Sequence, residues 1–272
     1  MTAQPETSAA EPEVLEERRG EQQEVVWVTL NRPHARNALT FAMYERLKAI
    51  AEEIDADPSV RVWVITGAGG KAFAAGTDIS QFRAFDKEED ALAYEERMDR
   101  VLGAIEGVRV PTIAAIAGAC TGGGAGIAGA CDLRVGTPSL KFGFPIARTL
   151  GNTLSMNNFA RLTALVGMAR VKELIFMARL VEAEEARQIG LVNELVESEE
   201  ALEPRVMEIA AKLATHAPLT LQTAKEALRR IRNQLVPPEG GSDLVLRAYM
   251  SEDFREGIEA FFEKRPARWV GR

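Results

Sequence analysis

Histidine and cysteine are both scarce in this sequence, with two of each among 272 residues. His34 falls in a turn and His216 at a helix end, and neither has a Cys or Asp placed beside it as a partner. A nucleophile–His–Asp triad or a His-ligated metal is therefore not expected, and no metal site is. Cys120 and Cys131 lie together in one small-residue stretch and read as buried free thiols of a reducing compartment. Disulfides are not needed, because a compact chain of this length buries roughly 75% of its unfolded surface. A basic excess is also missing. The net charge is -7, which argues against nucleic acid as a general partner. The first residues lack the basic and apolar regions of a secretory signal. Being polar and acidic, residues 1–23 read as a disordered tail. The longest uncharged run, Ile113 to Ala130, has eighteen residues but consists mostly of glycine and alanine and closes at Asp132. A membrane span is rejected on that ground, and a cytoplasmic protein with no membrane partner is expected.

What the sequence does have is glycine, concentrated in two places. The first is Gly67 to Ser80, GAGGKAFAAGTDIS, and the second Pro111 to Val135, PTIAAIAGACTGGGAGIAGACDLRV. Each follows an apolar, β-branched run that reads as a buried strand, Val60 to Thr66 and the start of the second stretch itself. Bare backbone lets another group approach closely, and its N–H groups can then serve as donors, above all where a helix begins. Such a loop can hold an anionic or anion-forming oxygen.

Around these loops the chain reads as α/β. Glu24 to Leu30 is a strand, and Thr40 is the N-cap of a helix to about Ala56. Glu88 to Glu106 is a charged amphipathic helix, and Leu140 to Phe144 a short strand. Helices are expected over 153–166, 168–178 and 183–188, with a strand-like run over 190–196. From Glu199 the pattern is helical throughout, 199–215, 218–234, 242–250 and 253–264, punctuated by Pro218, Pro237-Pro238 and Gly240-Gly241. The division is an α/β core over 24–197 and an all-α region over 198–272.

Gly124-Ala-Gly126-Ile-Ala-Gly129 has the spelling of a dinucleotide fingerprint. Its helix is too short, and no Asp or Glu occurs between Asp132 and Glu173 to hold a ribose, so that reading is rejected. Gly70-Lys71 likewise fails as a P-loop, because Ala72 is not Ser or Thr.

The two loops together, with their surroundings, resemble the enoyl-CoA hydratase/isomerase (crotonase) family. The matching segments are LNRPHARNALT (30–40), VWVITGAGGKAFAAGTDIS (62–80), PTIAAIAGACTGGGAGIAGACDLRV (111–135), KFGFP (141–145), EAEEARQIGLVNELV (182–196) and EGIEAFFEKRPARWVGR (256–272). They are collinear and span nearly all of the chain after residue 24.

The resemblance implies a ββα superhelix with a helical C-terminal region, in homotrimers or dimers of trimers. It implies an acyl-CoA substrate, with coenzyme A part of that substrate and no separate cofactor. It also implies a thioester oxygen held between the backbone N–H groups of Thr77 and Gly123, which would be the catalytic pair. Ala75, Asp78, Ile79 and Ser80 would lie along the acyl-CoA. Phe261 and Lys264 match positions that reach CoA, often in a neighbouring subunit.

The sequence departs from the family at two positions that matter. Hydratases of the family carry one Glu after GGGx and another after the Pro of FGxP; Gly126 and Ile146 stand there instead. Neither can move a proton, so hydration by two carboxylates is not expected. Asp78, Arg148, Asn152, Ser155, Glu252 and Asp253 remain as polar candidates, and Asp132 reads as a backbone anchor. The implied function is an acyl-CoA lyase or isomerase working through a stabilised enolate; the alternative is a non-catalytic acyl-CoA-binding pseudoenzyme.

Overall fold

The computed structural model describes residues 11–272. The chain begins with strand β1 (Val14–Arg19) and strand β2 (Val25–Leu30), followed by helix α1 (Phe41–Ala56), whose N-terminus Thr40 caps by accepting from Met43 N–H. Then come β3 (Val62–Gly67), β4 (Ala72–Ala74), helix α2 (Glu88–Gly107), β5 (Thr112–Ile116), β6 (Ala119–Thr121), helix α3 (Gly123–Ala130) and β7 (Leu133–Gly136). The middle of the chain holds β8 (Lys141–Gly143), α4 (Ile146–Thr149), α5 (Met156–Phe176), β9 (Val181–Glu182), α6 (Ala183–Gln188) and β10 (Glu194–Leu195). Four helices finish it: α7 (Leu202–Ala214), α8 (Pro218–Asn233), α9 (Ser242–Tyr249) and α10 (Glu252–Glu263).

Two sheets result. The larger runs β1-β2-β3-β5-β7-β10, parallel except where β1 meets β2. Its central strands are apolar on both sides, as a parallel sheet covered on both faces requires. Val26, Val28, Trp63, Ile65 and Ala114 face the main core with α1 and α2, while Val25, Trp27, Val62, Val64 and Ile113 face a second core closed by Leu202, Val206 and Ala210 of α7. The smaller sheet runs β4-β6-β8-β9, with β4, β6 and β8 parallel. Because β4 and β6 are parallel neighbours, the loops leaving their C-terminal ends emerge side by side. That is how two glycine stretches far apart in sequence come together.

The tail expected to be disordered over 1–23 needs correction. Residues 1–10 lie outside those described, but 14–19 form β1, paired antiparallel to β2 from Val14 opposite Leu30 to Arg19 opposite Val25. An edge strand leaves much of its side-chain surface in water, so VLEERR is polar and still a strand. Arg19 stacks over Trp27 at 4.1 Å and Arg18 pairs with Asp57 at 2.6 Å, which explains the basic residues. The helix pair expected over 153–166 and 168–178 is one element broken at Gly167 (φ 77°), and the strand expected over 190–196 shrinks to Glu194–Leu195. The short strands β4 and β6, and with them the second sheet, were not legible. No described helix is long and apolar enough to cross a membrane. Cys120 and Cys131 are free and buried, and burial pushes the Cys131 thiol up to about 12.

Candidate active site

The site is built where the loops after β4 and β6 touch. Gly76 (φ 110°) and Gly122 (φ 52°) occupy conformations that L side chains rarely adopt. A Cβ on Gly122 would stand 3.4 Å from Gly76 Cα, and one on Gly76 would stand 3.9 Å from Gly123 N. Thr77 and Gly123 are therefore adjacent on one wall. Three amides nearby are engaged: Gly122 N–H donates to Gly143 O (3.0 Å), Asp78 N–H to Leu39 O (2.9 Å) and Ala75 N–H to Arg36 O (3.0 Å). Among the described residues no backbone oxygen accepts from Thr77 N–H or Gly123 N–H. Two free donors side by side can hold an oxygen that gains negative charge.

The segment over 30–40 clamps the first loop. Buried Asn37, itself at φ 55°, donates through Nδ2 to Ala68 O (2.9 Å) and Ala72 O (2.8 Å), while its Oδ1 accepts from Arg32 N–H (2.9 Å). Helix α3 is fixed at both ends. A Cβ on Gly124 would fall 2.3 Å from Ala74 O, so this glycine allows the helix to sit against β4. At the other end buried Arg134 donates to Ala128 O (3.1 Å) and Cys131 O (2.6 Å). Asp132 anchors backbone as expected, its Oδ2 accepting from Thr112 N–H (2.8 Å), Thr112 Oγ1 (2.9 Å) and Lys225 Nζ (2.7 Å).

The Thr77 hydroxyl is shared by two buried phenols, Tyr44 Oη at 2.9 Å and Tyr94 Oη at 2.8 Å. Burial raises the pKa of both tyrosines, so they stay neutral. Thr77, Gly123 and both tyrosines line a cavity of about 200 Å³ whose other walls are mostly apolar: Ile79, Phe82, Met98, Leu102, Phe144 and Leu154 among them. Gly126 and Ile146 line it too, so the two positions that lack a carboxylate do face the cavity.

One carboxyl nevertheless lines it. Glu95, on α2, is 6% exposed. Its Oε1 accepts from Tyr249 Oη (2.5 Å) on α9 and its Oε2 from Ser155 N–H (3.0 Å) at the start of α5. Asn152 Nδ2 donates to the same Tyr249 oxygen at 2.9 Å, and Asn152 Oδ1 is buried without a partner among the described residues. Burial is the largest influence on Glu95. The Tyr249 bond opposes it, the nearby Asp99 carboxylate reinforces it, and the Ser155 bond opposes it again; the net pKa is pushed up to about 7.

Of the residues expected at the site, Ala75, Thr77, Ile79, Gly123 and Phe261 line the cavity, whereas Asp78, Ser80 and Lys264 do not. Phe261 comes from this chain's own α10. Asp78 holds the turn after Thr77, accepting from Ser80 N–H (3.1 Å), Ser80 Oγ (2.7 Å) and Arg32 Nη1 (3.0 Å). Burial raises its pKa, but these bonds outweigh burial and the net shift is downward, which suits a fixed anion. Lys264 is the left-handed C-cap of α10. Arg148 is exposed; Ser155 caps α5 and donates to Asp99 (2.6 Å). Asp253 accepts from Val270 and Gly271 N–H, and Glu252 pairs with Arg272, so neither tail acid reaches the cavity. Of the polar candidates only Asn152 lines it. Glu95 was missed although a signal existed: with Ala91, Tyr94, Met98, Leu102 and Ile105 it occupies the buried apolar stripe of its helix, and it is the one acid there.

The model of the enoyl-CoA hydratase/isomerase family matches residues 20–272. A short-chain-enoyl-CoA hydratase of Clostridium acetobutylicum is 35% identical over 243 residues, 89% of this chain and 92% of that one. Among solved structures, an enoyl-CoA hydratase/carnithine racemase of Magnetospirillum magneticum superposes with a TM-score of 0.76 at 34% identity, covering 96% of each chain. A methylmalonyl-CoA decarboxylase in complex with 2-nitronate-propionyl-CoA superposes with a TM-score of 0.85 at 28% identity, covering 96% of this chain and 99% of the other.

Proposed function

Because this chain belongs to the enoyl-CoA hydratase/isomerase family, with the crotonase fold, we propose that it is an acyl-CoA-processing enzyme that works through an enolate. The relatives named above hydrate or decarboxylate CoA thioesters, and both reactions place negative charge on the thioester oxygen. The observation that carries the reading is the adjacent pair of unengaged amides, Thr77 N–H and Gly123 N–H, in an apolar cavity. Preorganised donors at such an oxygen contribute most where water is excluded, and the loss of one typically costs ~10²–10³ in rate. The acyl chain lies among Ile79, Phe82, Leu154 and Phe261. Ala75, exposed at the loop, lies along the CoA beside it. Asp78 and Ser80 act by holding the turn that presents Ile79, and Lys264 offers a cation to a CoA phosphate.

Self-association into a trimer or a pair of trimers belongs to the same reading. Phe176, Met177, Leu228 and Ile231 leave large apolar side chains exposed at the ends of α5 and α8, surface that a neighbour of the same chain would cover.

The test is incubation with butyryl-CoA, crotonyl-CoA and vinylacetyl-CoA in deuterated water, followed by mass spectrometry of the thioesters. Uptake of deuterium at carbon, or a shifted double bond, is expected. Binding without any exchange or product across the three would favour the non-catalytic alternative.

A further inference from the structure

Resting on that reading, we propose that Glu95 is the proton-transferring group of this site, reaching the bound thioester from α2 and taking the place of the carboxyls absent at positions 126 and 146. Three observations carry it. First, Glu95 is the one carboxyl among the described residues lining the cavity that also holds the Thr77 and Gly123 amides. Second, its position is built: Tyr249 Oη and Ser155 N–H hold one oxygen each, Asn152 steadies Tyr249, and the Tyr94 and Tyr249 rings lie 6.1 Å apart against the same wall. Third, Tyr94, next to Glu95 in the chain, is bonded to Thr77 Oγ1, so α2 ties the carboxyl and the amide pair into one frame.

The chemistry balances with no reactant beyond the thioester and solvent water. The Glu95 carboxylate takes a proton from the acyl chain, forming an O–H bond as the C–H bond breaks. The released electron pair becomes the enolate double bond, and the carbonyl π pair moves onto the oxygen facing Thr77 and Gly123. Return of the same proton to a different carbon of the conjugated enolate shifts a double bond, whereas exchange of the Glu95 proton with solvent before its return to the original carbon replaces that hydrogen by one from water. A single carboxyl that cycles in this way suits a proton shift within one molecule, whereas addition of water ordinarily uses two. A pKa near operating pH serves a group that must both accept and donate. The titratable groups facing Glu95 are Asp99 and Tyr94 from its own helix and Tyr249 from α9, and the phenol of Tyr44 from α1 feels the Glu95 charge. The segment from Asn152 to Asn158 presents neutral side chains to the cavity.

The test compares the unmodified protein with Glu95→Gln, Glu95→Asp and Tyr249→Phe, using vinylacetyl-CoA in deuterated water and calorimetric binding of butyryl-CoA. Glu95→Gln should lower the exchange or isomerisation rate by ~10²–10⁴, the usual range for a general acid–base group, with butyryl-CoA affinity little changed. Glu95→Asp should recover part of the rate. Tyr249→Phe removes a bond that lowers the Glu95 pKa, so the midpoint of the pH–rate profile should move up from about 7; a merely structural Glu95 would leave it in place. Turnover that survives in Glu95→Gln within tenfold of the unmodified protein overturns the assignment of Glu95 alone. No turnover by the unmodified protein overturns it together with the proposed function.

Discussion

Replacing Glu95 by Gln should change how stability depends on pH, in a direction and amount that follow from burial. The ordinary Glu value of 4.5 is raised to about 7 in the folded chain. The folded state therefore holds this proton more tightly than the unfolded chain does. Glu95 contributes its full stability below pH ~4.5, and that contribution is lost as pH rises through about 7. Every tenfold difference in proton affinity between the two states corresponds to about 1.4 kcal/mol, so between pH 5 and pH 8 the loss is about 2–3 kcal/mol. Because Glu95 is only 6% exposed, water screens little of it. Gln cannot titrate, and the network can accept it. Its Oε1 takes the Ser155 N–H, its Nε2 donates to Tyr249 Oη, and a flipped Asn152 presents its unpartnered Oδ1 to the Tyr249 proton. Urea unfolding of both proteins at pH 5, 6, 7 and 8 gives the difference directly, since all other titrations cancel. Relative to the unmodified protein, Glu95→Gln should gain about 2–3 kcal/mol across that range. A difference that stays flat, or that falls with rising pH, would refute the burial argument.

Other positions give sharp expectations. Gly123→Ala places a Cβ 1.9 Å from Tyr44 Oη; by analogy with other overpacked sites it should cost about 1–3 kcal/mol. The cost should shrink in a Tyr44→Phe background, so an additive double-mutant cycle in chemical unfolding would count against the placement of Tyr44. Thr77→Val leaves the Tyr44 and Tyr94 phenols without their shared partner. The expected loss is about 2 kcal/mol in the same assay, and no measurable loss would show that the hydroxyl chain is absent in solution. Gly124→Ala sets a Cβ 2.3 Å from the Ala74 carbonyl, a backbone atom that cannot swing away. That variant should unfold well below the parent temperature, and an unchanged Tm would contradict the packing of α3 on β4. Sedimentation equilibrium should return a trimer or hexamer mass; a monomer at micromolar concentration would contradict the expected assembly.

The sequence was most informative where local chemistry decides the structure. Thr40 caps α1 as its hydroxyl predicts, and the apolar runs before each glycine loop are β-strands. Other features depended on long-range pairing, which a local pattern does not report. β1 is polar because it is an edge strand. β4 and β6 are three residues each, too short for any alternation to show, yet their parallel pairing is what sets Thr77 beside Gly123. The departure at Gly126 and Ile146 was plain in the sequence, and so was the absence of carboxylates after Asp132. What replaced them was harder to see, because Glu95 is one of many acids on α2 and only its place on the buried stripe distinguishes it. Its partners Tyr249 and Ser155 arrive from segments far along the chain, and so does Asn152.

The central claim is that the amides of Thr77 and Gly123 polarise a thioester carbonyl. Difference infrared spectroscopy of butyryl-CoA isotopically labelled at that carbonyl, free and bound to the protein, tests it most directly. Two engaged donors should move the carbonyl stretch of the bound ester to lower frequency than in water and narrow the band to a single environment. A bound ester whose carbonyl stretch stays at, or rises above, its position in water would contradict the account.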